Sequence, residues 1–288
     1  RLRAGGVEVL PFNKITLSFD MRLNNRSHRK ITVIDGQIAY TGGNNIADEY
    51  ANKVERVGHW KDTHMRFEGD AVLSFTVMFL SFWSIISDSS MLDYRSYLAA
   101  QKQSNAVGFV QPLSSGPGRD DHLIQSAFIN LISTAKRYVY ITTPYLILDN
   151  EIQTALVGAA LAGVDVRIII PKIPDKKIVY QTTKSFIPVL VKAGVKVYKY
   201  TPGFIHAKMI IVDDERAFIG TCNMDYRSFY LHYEDGAILY NVDTIADMKT
   251  DYLSTIEVSE QVSPEQINDV LPTTRLARSI LRLIAPMM

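Results

Sequence analysis

The chain has 288 residues, 47% of them hydrophobic and 21% charged, and its 31 Lys plus Arg against 30 Asp plus Glu leave a net charge of +1. That is the make-up of a globular protein with room for two ordinary domains, or for one fold built from two similar halves. It lacks the basic excess expected of a partner for a nucleic-acid polymer, and its single cysteine, Cys222, excludes an intrachain disulfide framework and a cysteine-rich zinc site.

The chain opens at Arg1 rather than Met and shows no signal-peptide pattern, so a fragment or processed form is expected. The first polar cluster is RSHRKITVIDGQIAYTGGNN, around Arg26, followed by HWKDTHMRF, which reads as a strand carrying Asp62. Ala71 to Ser87 is uncharged, but it is short for a membrane span and Ser74, Thr76, Ser81 and Ser84 interrupt it, which predicts a buried amphipathic helix. A membrane anchor is expected only upstream of Arg1. Between Ser104 and Asp121 the composition turns to Gly, Pro and Ser, reading as a short strand and then a loop between halves, with a boundary near Asn105. Residues 1–105 and 106–288 are thus expected to be two halves.

The second half reads as alternating strands and helices. YVYITTPY (from Tyr138) predicts a strand, the stretch from Glu151 a helix, and VDVRIIIP a β-branched strand closed by Pro171. A helix over roughly Tyr180 to Ala193 precedes the strand VKVYKY, and FIHAKMIIVDDERAFIGTCN, around Ile205, follows. Such alternation predicts an α/β sandwich with a largely buried sheet. In the tail, Arg275, Arg278 and Arg282 share one helical sector and Leu276, Ile280, Leu283 and Ile284 the other. This basic amphipathic helix suits either an anionic membrane surface or the protein core with its basic face solvated.

The two polar clusters are one motif written twice. Aligning His28 with His206 matches Lys30 to Lys208, Asp35 to Asp213, Gly42 to Gly220 and Asn45 to Asn223 without a gap. RAGGVEVLPF, from Arg3, similarly resembles KAGVKVYKYT, from Lys192. The first copy starts late, so the strand–helix–strand that would precede it is expected to be missing.

On an extended chain His and Lys two apart share a face, while the motif's Asp has the opposite parity and sits at a turn. Asp35 and Asp213 complete the catalytic motifs and are read as structural members of them. Paired imidazoles and ammonium groups suit phosphodiester transfer: a neutral imidazole attacks phosphorus, lysines compensate the oxygens' charge, and a second imidazole protonates the departing alkoxide. Asn45 and Asn223 are candidates to donate to the phosphate. Each imidazole also needs an acceptor on its other nitrogen. Asp62 is the candidate for His28 and Glu234, in LHYEDG, for His206. His64, two residues from Asp62, is placed at the site; His59, His122 and His232 are read as surface or satisfied core residues. Neither metal-ligand spacing nor a nucleotide-binding glycine loop appears, so no metal and no cofactor are expected.

The paired His-x-Lys-x4-Asp motifs, each continuing to Gly-[Gly/Thr]-x-Asn, resemble those of the phospholipase D superfamily. TGGNNIADEY, GHWKDTHMRFEG and PGFIHAKMIIVDDERAFIGTCNMDYRSF resemble bacterial cardiolipin synthases in particular. The resemblance implies two pseudo-symmetric α/β/α halves with mixed sheets, a site at their interface, and an incomplete first half. It implies transfer of a phosphatidyl group between two phosphatidylglycerol molecules through a phosphohistidine, giving cardiolipin and glycerol at the bacterial cell membrane, with the catalytic part on the cytoplasmic side. It also implies His28 as nucleophile and His206 as acid, then base; symmetry alone leaves that order open. Gly43 and Thr221 depart from the family's Ser at their positions. A phospholipase D, a phosphatidylserine-type synthase and, less well matched in charge, a nuclease remain alternatives.

Overall fold

A computed structural model describes residues 1–13, 24–87, 94–100, 106–118, 121–268 and 271–287. The first half carries strands β1 (Thr32–Ile34), β2 (Ile38–Gly42), β3 (His59–Lys61) and β4 (His64–Glu68), then helix α1 (Ala71–Ser87). The boundary near Asn105 lies outside the described residues. Next come β5 (Phe109–Ser115), α2 (Leu123–Ser133), β6 (Tyr138–Thr142), β7 (Leu146–Ile147), α3 (Asn150–Leu161), β8 (Asp165–Pro171), α4 (Lys177–Lys192) and β9 (Lys196–Tyr200). The second motif spans β10 (Gly203–Ile205), β11 (Met209–Val212), β12 (Arg216–Gly220) and β13 (Met224–Asp225). The chain continues through β14 (Glu234–Tyr240), α5 (Thr244–Glu257), β15 (Ser259–Gln261), α6 (Pro264–Asn268) and α7 (Pro272–Leu283).

Eight strands form a mixed sheet in the order β15-β9-β8-β6-β11-β12-β14-β5, parallel at β6–β8–β9 and antiparallel elsewhere. The β-branched run of β8 sorts by parity. Ile168 and Ile170 pack with Ile152, Leu156, Phe186 and Leu190 of α3 and α4, while Ile169 joins the opposite core with Tyr252 of α5. Burial on both faces explains why this strand reads as continuous apolar sequence rather than as an alternation. The first half packs into that second core: Ala39, Phe67, Val72 and Phe75 cluster with Tyr198, Ile211, Ile219 and Leu239. The predicted helix Ala71–Ser87 is therefore docked by Val72, Phe75, Thr76 and Leu80. No described helix is long and apolar enough to cross a membrane.

The internal repeat is visible in three dimensions. The β1–β2 hairpin and the β11–β12 hairpin occupy the same motif positions, each turning through left-handed residues: Asp35 and Gly36 in the first, Asp213 and Asp214 in the second. Each connection is three residues long, 35–37 and 213–215, and its first two residues are left-handed, a conformation that Gly adopts freely and Asp tolerates. The three-stranded sheet β1-β2-β4 stands for the first half where the second has its eight-stranded one. The halves are thus related but unequal.

The motif aspartates work at those turns. Asp213 accepts from the backbone amides of Lys136 (2.7 Å), Arg137 (2.8 Å) and Tyr138 (2.9 Å), tying β11's turn to the entry of β6. Asp35 is exposed at its turn. Charge-assisted bonds from backbone amides to a buried carboxylate are costly to lose, so Asp213→Asn is expected to destabilise by about 1–3 kcal/mol, whereas Asp35→Asn stays within about 0.5 kcal/mol. Denaturant unfolding of the two variants checks this.

Candidate active site

Both motifs place their histidine and lysine on extended chain just before a hairpin: His28 and Lys30 ahead of β1, His206 and Lys208 ahead of β11. The halves are interleaved there. Strand β3 of the first half runs parallel to β10 of the second, with Ile205 opposite Lys61, and Ser27 bridges Tyr233 in the same sense. Consequently the His206 amide donates to the Lys61 carbonyl (2.7 Å) and the His28 amide to the Tyr233 carbonyl (2.9 Å). The residue after each of those carbonyls is a carboxylate, Asp62 or Glu234. It reaches the histidine of the other half.

This crossing corrects the pairing expected from the sequence. Asp62 serves His206, Nδ1 to Oδ2 at 2.7 Å, and Glu234 serves His28, Nδ1 to Oε2 at 2.9 Å. The expectation kept each carboxylate with the histidine of its own motif, because linear order cannot show that the pre-histidine segments pair across the halves. Asp62 and Glu234 are both held below the usual carboxylate range. Burial alone would raise them, and it is outweighed at Asp62 by the His206 bond and the Lys208 charge, and at Glu234 by His28 and His232. An ionised carboxylate only accepts, so each ring carries its hydrogen on Nδ1 and leaves Nε2 free.

The lysines fold back on their own motifs: Lys30 Nζ donates to the His28 carbonyl at 2.7 Å and Lys208 Nζ to that of His206. Lys208 is fully buried, and desolvation brings its pKa down to about 7. Burial lowers both imidazoles too, His206 to about 3, with the Lys208 charge adding to the effect. Lys208 acts on His28 and Lys30 acts on His206, so the four groups share one electrostatic field. His206 is the more enclosed, its side chain 8% exposed against 24% for His28.

This enclosure has a consequence for stability. The unfolded chain protonates His206 near its ordinary 6.5, whereas the folded chain refuses the proton until about 3. The unfolded state therefore binds more protons between those values, and stability falls as pH drops through that window. Thermal melts from pH 7 to 4 should show a steep loss for the wild type and a shallower one for His206→Asn.

Gly43 and Thr221, which depart from the family's Ser, differ for a reason the geometry supplies. A Cβ at Gly43 would sit 2.0 Å from Asp62 Oδ1 and 2.9 Å from the His206 carbonyl, so only glycine lets the short Asp62 side chain in. Thr221 instead donates its hydroxyl to Glu234. Asn223 is buried, with its amide nitrogen on Asp225 (3.2 Å) and its oxygen unbonded among the described residues. Asn45 is half-buried and lines a roughly 810 Å³ cleft with Lys30, Arg29 and His64.

Two neighbours escaped the sequence reading. Trp60 packs on His206 at 4.9 Å between ring centroids, and His232 lies beside His28 at 5.6 Å. Each is two residues before the orienting carboxylate and so shares its face, a period-2 signal that HWKD and HYED carry together. His232 is not the surface or satisfied core residue expected, since both ring nitrogens are buried without a hydrogen-bond partner among the described residues. With His28 and Glu234 it forms a trio whose ligand atoms lie within 4.8 Å of one another, a set that could hold a metal ion. Spacing rules miss such a trio because two chain segments build it. His59 bonds Tyr200 and His122 packs on Tyr230, both away from the imidazole pair.

Two related α/β halves, each giving one histidine–lysine motif and one carboxylate to the other's histidine, make a phospholipase D-type fold. The family model described as "Cardiolipin synthase, PLD-like domain" matches residues 128–255. A cardiolipin synthase of Geobacillus kaustophilus is 41% identical over all of this chain and 57% of its own length. An uncharacterized protein of Streptococcus mutans is 42% identical over all of this chain and 62% of its own length. The chain therefore spans under two thirds of the curated relatives it matches. In structure it is similar to phosphatidylserine synthase of Haemophilus influenzae, with a TM-score of 0.68 over 91% of this chain and 71% of that one, at 16% identity. That likeness speaks to the fold. The chain is thus similar over its whole length to part of the Geobacillus cardiolipin synthase, and its residues 128–255 match the family model.

Proposed function

We propose that this chain is the catalytic part of a cardiolipin synthase, moving a phosphatidyl group from one phosphatidylglycerol to the hydroxyl of another at a bacterial membrane surface. The observation that carries the reading is the reciprocal pairing of His28 with Glu234 and His206 with Asp62, which presents two free Nε2 atoms in one cationic field. The 41% identity to the Geobacillus synthase supports the choice of reaction.

His28, the more open imidazole, is the nucleophile in this scheme: its Nε2 lone pair bonds to phosphorus as the bond to the glycerol oxygen breaks. That oxygen takes the proton of a His206 imidazolium. The resting His206 is neutral, lowered by burial first and by the Lys208 charge second, so the proton is taken up from solvent as the substrate binds: a phosphodiester anion between Lys30 and Lys208 offsets the lysines' share of that shift and raises the affinity of His206 for the proton. In the second half the hydroxyl of another phosphatidylglycerol gives its proton back to His206 and attacks phosphorus, and the P–N bond breaks. Asn45 and Asn223 donate to the non-bridging oxygens. Asp62 and Glu234 fix tautomer and orientation, and no step draws on a metal or a cofactor. A near-neutral net charge gives a nucleic-acid substrate no electrostatic hold.

The test is incubation of the full-length protein with labelled phosphatidylglycerol. Cardiolipin and glycerol are the expected products in equal amounts. Phosphatidic acid without cardiolipin would assign water as the acceptor and a phospholipase D in place of the synthase.

A further inference from the structure

Helix α7 lies on the body the other way round from an ordinary docked amphipathic helix. Its arginine side faces the protein: the Arg282 guanidinium lies 4.5 Å over the Phe186 ring and donates to Gln153 at 3.1 Å. Arg278 turns toward α4 and β9, and Ala285, just past the helix, is buried in the main core. The third arginine of the tail, Arg275, lies outside the described side chains. Leu276, Ile280 and Leu283 make one stripe on the opposite side and are 65%, 55% and 81% exposed. Folding alone would turn that stripe inward and the arginines to water.

Beside the helix, Lys184, Lys199 and Arg278 line a cleft of about 140 Å³ together with Ile187, Pro188 and Gln266. Burial, and then the Arg278 and Lys199 charges, lower the Lys184 pKa, so the three cations repel one another. The Arg278 Nε is buried with no hydrogen-bond acceptor among the described residues. The nearby acid, Glu260, is engaged by Lys172 at 2.8 Å and Gln266 at 3.1 Å. An apolar stripe on the outer side of α7 with a cation-rich cleft beside the helix matches the boundary between acyl chains and anionic headgroups.

We propose that α7 docks the protein on an anionic bilayer, its Leu276–Ile280–Leu283 stripe entering the acyl boundary while the Lys184–Lys199–Arg278 cleft takes the phosphate of a phospholipid headgroup. This goes beyond the reaction assigned above and does not rest on it. The cleft is separate from the histidine pair, and binding is read without turnover.

Flotation of the 288-residue chain with phosphatidylcholine vesicles, with and without phosphatidylserine, tests it. The wild type should float, more strongly with phosphatidylserine and less at high salt. Leu276→Ser, Ile280→Ser and Leu283→Ser combined should lower partitioning to both vesicles by roughly tenfold or more, and Lys184→Gln with Lys199→Gln should lower it only for the anionic ones. All five positions lie on the surface or the rim of a cleft, and the melting temperature shows whether each variant is folded. Hydrogen exchange on the wild type gives a second measure, with α7 amides slowing when anionic vesicles are added. Unchanged flotation of either variant, or unchanged exchange in α7, would overturn the proposal. So would a shift of the triple variant from dimer to monomer with vesicle binding intact, which would make the stripe a contact between two copies.

Discussion

His28→Asn and His206→Asn should each reduce phosphatidyl transfer by roughly 10³-fold or more, because each removes one of two imidazoles that act on the same phosphorus. Asparagine keeps a donor for the carboxylate behind it, so Glu234 and Asp62 are not stranded as buried, unpaired charges, which would add a stability loss to the chemical one. The double variant is expected to be no slower than the worse single, since groups that act as a unit do not add. A leaving group that needs no proton separates the roles. With a p-nitrophenyl phosphodiester, His206→Asn should still release a stoichiometric burst of nitrophenol and His28→Asn none. Equal bursts from both variants would contradict the assignment of nucleophile and acid.

Asp62→Asn and Glu234→Gln are expected to lower the rate by roughly 10²–10⁴-fold, through loss of tautomer and orientation rather than of a reacting group. Their signatures should cross. The downfield Nδ1 proton of His206 should vanish in Asp62→Asn while that of His28 persists, and Glu234→Gln should do the reverse, because Asp62 lies 2.7 Å from His206 and Glu234 2.9 Å from His28. Proton NMR of the two variants reads this directly. If Asp62→Asn silenced the His28 resonance instead, the interleaving of the halves would be wrong.

Much of this site was legible in the sequence. The ungapped match of His28, Lys30 and Asp35 to His206, Lys208 and Asp213 fixed the two-half architecture. The parity of Asp213 put it at a turn, away from the imidazole, where it holds the amides of residues 136–138. Asp62 and Glu234 were picked out by their places after each motif, although Asp62 falls between β3 and β4 rather than on a strand. Their partners were not, because partner choice is set by the parallel pairing of β3 with β10 and of Ser27 with Tyr233, contacts between segments far apart in the chain. Trp60 was missed and His232 read as a bland residue for a related reason: each owes its place beside an imidazole to pairing between segments far apart in the chain. The tail was read as a basic amphipathic helix, but periodicity gives opposite faces without saying which one meets the protein. Phe186 and Gln153 decide that by holding Arg282.

Denaturant quenching at alkaline pH during turnover, followed by mass mapping of the modified peptide under the same alkaline conditions, probes the core of the mechanism. The expected result is an acid-labile phosphatidyl adduct on the peptide containing His28, absent from His28→Asn and chased into product by added phosphatidylglycerol. An adduct on His206, or trapping that persists in His28→Asn, would contradict the mechanism.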